Sequence, residues 1–396
     1  MFRFDGLSRL SQLDTTNQRV FVRADLDCPF DRHGRLSDDS KIVAAASTLR
    51  HLLAQQAQVV VGSHLTPPSA RPSAADSRLE QCAARLAEVL GVEVYMPDEV
   101  LGPMPRKLMN DLRADRLMLL PDLSTCPDEL SGSEAFAREL CAPYDLYVGD
   151  CLHGPPSFAT LSVMPRLSRD RTLGLRAEQE VLAANRYLQS PRRRSLLVVG
   201  GTFEHRQELM DWAVRTQRGV LAVGDLGVTL LAAEGRSIGG TPIRAPLLPK
   251  ARTWLDQARA AHVSVVLPSD FYVEDAATTA TAHPLAALTS GQRIVDTGPS
   301  ATESLAGLLG LYECVLMVGI WSVDGKQARQ LRSALNAIGE SQTYSLLIHD
   351  DELRVDDAFA SEAGSAYGFV STSDGALLNL IQGKRLAVLE SLRTPD

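Results

Sequence analysis

RVFVR at Arg19–Arg23, KIVAAASTLRHLL at Lys41–Leu53 and QVVV at Gln58–Val61 follow one another along the chain, and their order decides the fold class. The outer two segments are short and almost continuously apolar, as strands covered on both faces are. The middle one is longer and amphipathic, which is the pattern of a helix. The same alternation continues outward. A helix is expected at Ser77–Leu90, and strands at Arg116–Leu120, Leu146–Val148, Leu196–Val199, Val220–Val223, Val263–Leu267 and Val315–Val318. Strands separated by helical stretches predict parallel sheets with right-handed crossovers, so the fold class is α/β, doubly wound.

A chain of 396 residues has room for two such domains. The expected division is the helical segment AEQEVLAANRYL at Ala177–Leu188, which follows a Pro-, Ser- and Arg-rich stretch and precedes the polar turn Ser190–Arg194. The reading is an N-terminal α/β domain at 1–172, a hinge helix at 173–189, a second α/β domain at 190–375 and a C-terminal segment at 376–396.

Composition excludes several classes of function. Hydrophobic residues make up 45% and charged residues 22% of the chain, ordinary values for a globular protein. The net charge of −8 argues against a large nucleic-acid surface, and the run Arg192–Arg194 is too short to change that. Six scattered cysteines without a C-x-x-C pair argue against a zinc site or a redox dithiol, and fit free thiols in a reducing compartment. No stretch approaches the roughly 18 apolar residues of a membrane helix, and the N-terminus lacks a signal-peptide pattern. A cytoplasmic protein with no membrane or nucleic-acid partner is expected.

From Arg19 onward the chain resembles phosphoglycerate kinases, segment by segment and in order. RVFVRADLDCP at 19–29 is similar to that family's R-V-D-F-N-V-P loop, GRLSDDSKI at 34–42 to G-x-I-x-D-D-x-R-I, and VVVGSHL at 59–65 to the strand entering S-H-L-G-R-P. DLYVGDC (145–151), LLVVGGT (196–202), VLPSDFYVED (266–275), IVDTGPSA (294–301) and FVSTSDGALL (369–378) match later family motifs. The resemblance implies two doubly wound domains joined by a hinge helix, with 3-phosphoglycerate on the first and Mg-ATP or Mg-ADP on the second. It also implies a monomer, and a C-terminal tail, here within Gly383–Leu392, that returns to the first domain.

By the same resemblance, Arg23, Asp25 and His64 stand at substrate-binding positions of the first domain, with Asp27 in place of an asparagine and Lys41 in place of an arginine. Pro67, Ser124 and Ser157 replace three phosphate-facing arginines. On the nucleotide side Gly200 and Gly201 remain, Phe203 and Gln207 stand for two lysines, and Ser300 stands for another. A glycine-rich turn becomes Ile348-His349-Asp350-Asp351, followed by Glu352. Asp351 is the expected acid and metal candidate, and Asp324 lies beside Gly325 at the ribose position.

Phosphoryl transfer asks the protein mainly for cationic donors and close backbone approach to phosphate. A charged hydrogen bond contributes roughly 1.5–3 kcal/mol, so losing three removes about 5–9 kcal/mol, or about three to six decades of affinity. Three readings follow: a phosphoglycerate kinase-like binding or regulatory pseudoenzyme, a working kinase with relocated cations (Arg71, Arg166, Arg169, Arg171, Arg206), or a cleft repurposed for another ligand. The replacement ligand or partner stays open. Several residues carry two readings. His64 is a ligand contact or a structural hydrogen-bonding group; Asp25 and Asp270 are site acids or helix caps; Gly200-Gly201 is an anion-binding or merely a tight turn. Phe203, Tyr272 and Trp321 line a pocket or pack in the core.

Overall fold

The computed structural model describes residues 4–31, 33–65, 77–113, 115–189, 194–275, 278–319, 329–341, 343–348 and 368–394. The chain divides into two compact units, Met1–Asn185 with Gly375–Asp396, and Arg186–Asp374. Helix Leu175–Gln189 carries the chain from the first to the second.

The first unit is built on a six-stranded parallel sheet. Its strands are β1 (Arg19–Arg23), β2 (Gln58–Gly62), β3 (Glu93–Tyr95), β4 (Arg116–Leu119), β5 (Leu146–Gly149) and β6 (Asp170–Leu173), in the order β3-β4-β2-β1-β5-β6. β1 and β5 are buried almost throughout, which explains their continuous apolar sequence. Helices Ser40–Ala54 and Arg78–Leu90 pack Ile42, Leu49, Leu52, Cys82 and Leu86 against Val20, Val22, Val59 and Val61. Gly62 admits the Phe21 ring where a Cβ would overlap it, and Phe21 in turn stacks on Tyr147.

The second unit repeats the plan. Strands β7 (Ser195–Val199), β8 (Gly219–Ala222), β9 (Ser264–Val266), β13 (Cys314–Val318), β14 (Tyr344–Ile348) and β15 (Gly368–Ser371) form a parallel sheet in the order β15-β14-β13-β7-β8-β9. A small antiparallel sheet of β10 (Asp270–Asp275), β11 (Thr278–Pro284) and β12 (Arg293–Thr297) was not anticipated from sequence. It has its own core of Phe271, Val273, Leu285 and Ile294.

In each parallel sheet the strand order reverses beside the first strand. β2 lies on one side of β1 and β5 on the other, and β8 and β13 flank β7 in the same way. The loops leaving such a pair diverge, opening a crevice at the carboxyl ends of the strands where ligands of α/β sheets bind. The topology therefore points to the loops after β1 and β5, and after β7 and β13.

The Pro-rich stretch ahead of the linking helix is structured. A π-helical turn at Ala159–Val163 and helix Met164–Leu167 lead into β6, which pairs with β5. The C-terminal segment packs on this edge of the first unit. Arg171 donates to the carbonyls of Leu392 (3.2 Å), Pro165 (3.2 Å) and Arg393 (2.7 Å), and the Ser391 hydroxyl donates to Leu161 O at 2.9 Å. Leu392, 1% exposed, fills the space over Gly149.

Truncating Leu392 should therefore be costly. Leu392→Ala is expected to lower the unfolding free energy by about 3 kcal/mol, whereas Leu311→Ala, at a position 70% exposed, should change it by less than about 0.5 kcal/mol. Urea titrations of both variants check the contrast; equal effects would contradict the packing described.

Candidate functional site

β1 ends at Arg23, whose backbone pairs with Gly62 of β2 and Gly149 of β5. Its side chain thus starts at the crevice, yet it is only 3% exposed. Nε donates to Thr160 Oγ1 at 3.1 Å and Nη1 to the Ala24 carbonyl at 2.5 Å. Thr160 Oγ1 donates onward to Glu129 Oε1 at 2.5 Å, and Thr160 N–H meets Glu129 Oε2 at 2.8 Å. His64, in the loop after β2, places Nε2 2.9 Å from Glu129 Oε1 and sets its ring against Phe158, tilted by 42° with centroids 4.4 Å apart. Glu129 itself is completely buried. Burial holds the His64 imidazole below its ordinary pKa, against the raising effect of the Glu129 hydrogen bond and with the nearby Arg23 charge adding to the depression.

Beside this network lies a second one. Lys41, on helix Ser40–Ala54, sets Nζ 3.0 Å from Asp25 Oδ2, and His153 Nδ1 stands 3.5 Å from the same oxygen. Asp25 Oδ1 accepts the Asp27 N–H at 3.0 Å, which is where the structure places Asp27. Burial pushes the Asp25 carboxyl up, but Lys41 and His153 outweigh it and leave the group below the usual carboxylate range. Of the two readings of Asp25, the helix-cap one has no support here: Asp25 meets Lys41, His153 and the loop amide of Asp27. The structure brings Arg23, Asp25, Asp27, Lys41 and His64 to one end of one sheet.

The serines at the arginine positions differ. Ser124 turns inward to Asp122, donating from Oγ to Oδ2 at 2.8 Å and from N–H to Oδ1 at 2.9 Å. Ser157 is exposed. Arg169 directly precedes β6 and Arg171 is its second residue. Because β6 is parallel to β5, both arginines stand at the amino end of the sheet, opposite the crevice. The Arg171 guanidinium is taken up by the carbonyls of Pro165, Leu392 and Arg393. Pro67 and Arg71 lie outside the described residues.

In the second unit, Gly200 and Gly201 follow β7. Gly200 N–H donates to Val318 O at 2.9 Å, and Gly201 adopts φ 91°, a left-handed conformation suited to glycine. Thr202 Oγ1 caps helix Phe203–Thr216 by accepting His205 N–H at 3.4 Å. Arg206 turns back and donates from Nε to the Gly200 carbonyl at 3.0 Å, and its guanidinium packs on Gly319 after β13, where a Cβ would collide with it. Phe203 is buried, as core packing requires, and Gln207 is exposed. Asp270 Oδ1 accepts Ser300 N–H at 3.0 Å, capping helix Pro299–Leu309. Tyr272 is half-buried on β10. Trp321, Asp324, Gly325, His349, Asp350, Asp351 and Glu352 lie outside the described residues.

Sequence reasoning missed Glu129, Thr160 and His153. Nothing local marks Glu129: in PDEL it looks like a first-turn acid favouring a helix N-terminus.

Each unit thus carries a polar site at the carboxyl ends of its parallel strands, one lined by internally paired charges and the other by glycine turns under an arginine. That combination defines a two-unit α/β protein of the kind that holds small ligands at switch points. The sequence pattern of phosphoglycerate kinase matches residues 10–384. The phosphoglycerate kinase of Anaeromyxobacter sp. (strain K) is 29% identical over 395 residues, covering 96% of this chain and 98% of that one. That of Anaeromyxobacter dehalogenans (strain 2CP-C) is 32% identical over 271 residues, 67% of this chain and 68% of the relative. The solved phosphoglycerate kinases from Coxiella burnetii (TM-score 0.76, 24% identity) and Pyrococcus horikoshii OT3 (TM-score 0.79, 22% identity) share the fold over 98% of both chains. This chain belongs to the phosphoglycerate kinase family.

Asp150, after β5, offers a pH test of the site's frame. Its Oδ1 accepts Ala177 N–H at 3.1 Å at the start of helix Leu175–Gln189. Burial pushes its carboxyl up to about 6, against hydrogen bonds from Thr48 and Ala177 and the charge of Arg176. A folded pKa above the unfolded value of about 3.9 means that protonation favours the folded state. The contribution is full below the unfolded pKa and is lost as pH rises through about 6. Asp150→Asn removes this titration. Relative to the parent, the variant should gain about 3 kcal/mol of unfolding free energy between about pH 3.5 and about pH 7.5; a flat difference across that range would contradict the assignment.

Proposed function

We propose that this chain is a phosphoglycerate kinase-like binding or regulatory protein in which ATP:3-phosphoglycerate phosphoryl transfer is lost or strongly impaired. One observation carries the reading: the basic groups that survive in the first unit are paired inside the protein. Lys41 is bonded to Asp25, His64 to Glu129, and Arg23 through Thr160 to the same glutamate. An incoming phosphate would have to break these contacts before gaining any, and Ser124 and Ser157 supply no cation in their place. Phosphoryl transfer depends on cations aimed at the transferring group. The loss inferred from the replaced arginines is therefore compounded. The same reading makes the protein a cytoplasmic monomer, and its six cysteines, none in a disulfide, support a reducing compartment.

One feature favours the alternative of a divergent working kinase. Arg206 brings a buried guanidinium to Gly200 and Gly319, the turns where a nucleotide phosphate would approach.

A coupled assay with Mg-ADP and 1,3-bisphosphoglycerate separates the two. ATP formation is expected to match the protein-free blank, and brisk turnover overturns the reading. In thermal-shift titrations, 3-phosphoglycerate should leave the parent midpoint unmoved. Ser124→Arg combined with Ser157→Arg is expected to gain at least about tenfold in affinity, the worth of one charged hydrogen bond.

A further inference from the structure

We propose that His64, Thr160 and Arg23 form a receptor for a small carboxylate, and that the Glu129 side chain is its built-in occupant, with which a free carboxylate competes. The inference rests on the reading above, that this strand-end site no longer serves the family's phosphorylated acid.

The donors and the acceptor come from different kinds of structure. Arg23 ends a central strand, His64 follows its neighbour β2, and Thr160 lies in the turn after β5 whose Tyr147 hydroxyl donates to the Thr160 carbonyl at 2.8 Å. All three are anchored on the sheet. Glu129 comes from a four-residue helix, Pro127–Leu130, in which Pro127, Asp128 and Leu130 are exposed, as are the flanking Thr125 and Ser131. Only the Glu129 side chain enters the interior.

A buried carboxylate costs several kcal/mol in lost hydration unless its oxygens are met. Here both are met. Oε1 faces His64 Nε2 and the Thr160 hydroxyl, and Oε2 accepts the Thr160 amide. Arg23 Nε, donating to Thr160 Oγ1, polarises that hydroxyl toward the carboxylate and supplies the positive charge behind it. Phe158 against the His64 ring gives one apolar wall. Two oxygens in one plane, a single methylene behind them and a cation at one remove describe a receptor for acetate or formate. A tetrahedral dianion would bring more oxygens than the contacts on Glu129 provide for.

The test uses the full chain with Glu129→Ala, which vacates the receptor. Its thermal midpoint is measured against formate, acetate, inorganic phosphate and chloride at constant ionic strength. Formate and acetate should raise the midpoint saturably above the chloride control. The parent, in which Glu129 competes for the same donors, should need at least about tenfold more acetate for the same rise, and Glu129→Ala with Thr160→Val should lose it. Equal shifts in parent and variant, no saturation, or phosphate acting as strongly as acetate overturns the proposal. If Glu129→Ala fails to fold, the isosteric Glu129→Gln keeps the question decidable. Acetate, displacing a neutral amide, should then perturb the His64 ring nitrogen resonances at about tenfold lower concentration than in the parent. Identical titrations sink the idea. Turnover in the coupled assay would end the pseudoenzyme reading by itself, whereas these titrations report only on the receptor.

Discussion

Burial of the Glu129 carboxylate against His64 and Thr160, with Arg23 one hydrogen bond further in, is the interaction on which the strand ends of the first unit depend. Arg23 sits at the end of β1 between two paired strands, and its buried guanidinium is held by bonds to Thr160 and the Ala24 carbonyl. A cation held there needs a counter-charge, and removing one partner of a buried pair typically costs about 3–5 kcal/mol. Thr160 lets one carboxylate serve two clients by donating to Glu129 while accepting from Arg23. The same rule fixes Lys41, whose ammonium is buried and answered by Asp25 at 3.0 Å.

The second unit meets the same demand with dipoles. Arg206 donates to the main-chain carbonyl of Gly200, and the close approach of Gly319 is possible because no Cβ intervenes. Asp270 is answered by the Ser300 amide at the start of a helix, where the dipole favours negative charge. Carbonyl and amide partners leave more of a charge's field unbalanced than an opposite ion does. The described contacts therefore differ in kind: in the first unit buried charges meet one another, and in the second Arg206 and Asp270 meet main-chain groups.

Much of this fold was legible because strands covered on both faces leave no choice of residue. RVFVR, QVVV, Arg116–Leu120, Leu146–Val148, Leu196–Val199, Val220–Val223, Val263–Leu267 and Val315–Val318 fall within a residue or two of the observed elements. What escaped were the edge strands β3, β6 and β15, the small sheet, and the interior strand β14. DRTL of β6 alternates polar and apolar over four residues, and DFYVED of β10 begins and ends with acids. Ser124 and Ser157 could be singled out from residue type and position alone, but not what surrounds them. Glu129 could not, because its burial is decided by a threonine 31 positions away that the turn after β5 brings against it. Strand direction explains Arg169 and Arg171 likewise: sequence placed them near the right loop, and the parallel pairing of β6 turned them to the other end of the sheet.

A basic site can vanish in two ways that differ energetically. Replacing exposed arginines by serine weakens ligand binding and leaves stability nearly unchanged, since exposed charges contribute little to folding. Cations already fixed in the interior are another matter, because stripped of a ligand they must find a partner or destabilise the protein. Arg23, Lys41 and His64 have such partners in Thr160 with Glu129, in Asp25, and in Glu129 again. Once made, these contacts enter the free energy of folding. An anion seeking the site then competes against the stability of the unit as well as against water. On the reading proposed above, that coupling would set a threshold on affinity that restoring surface arginines alone does not remove, because the interior pairs remain to be broken.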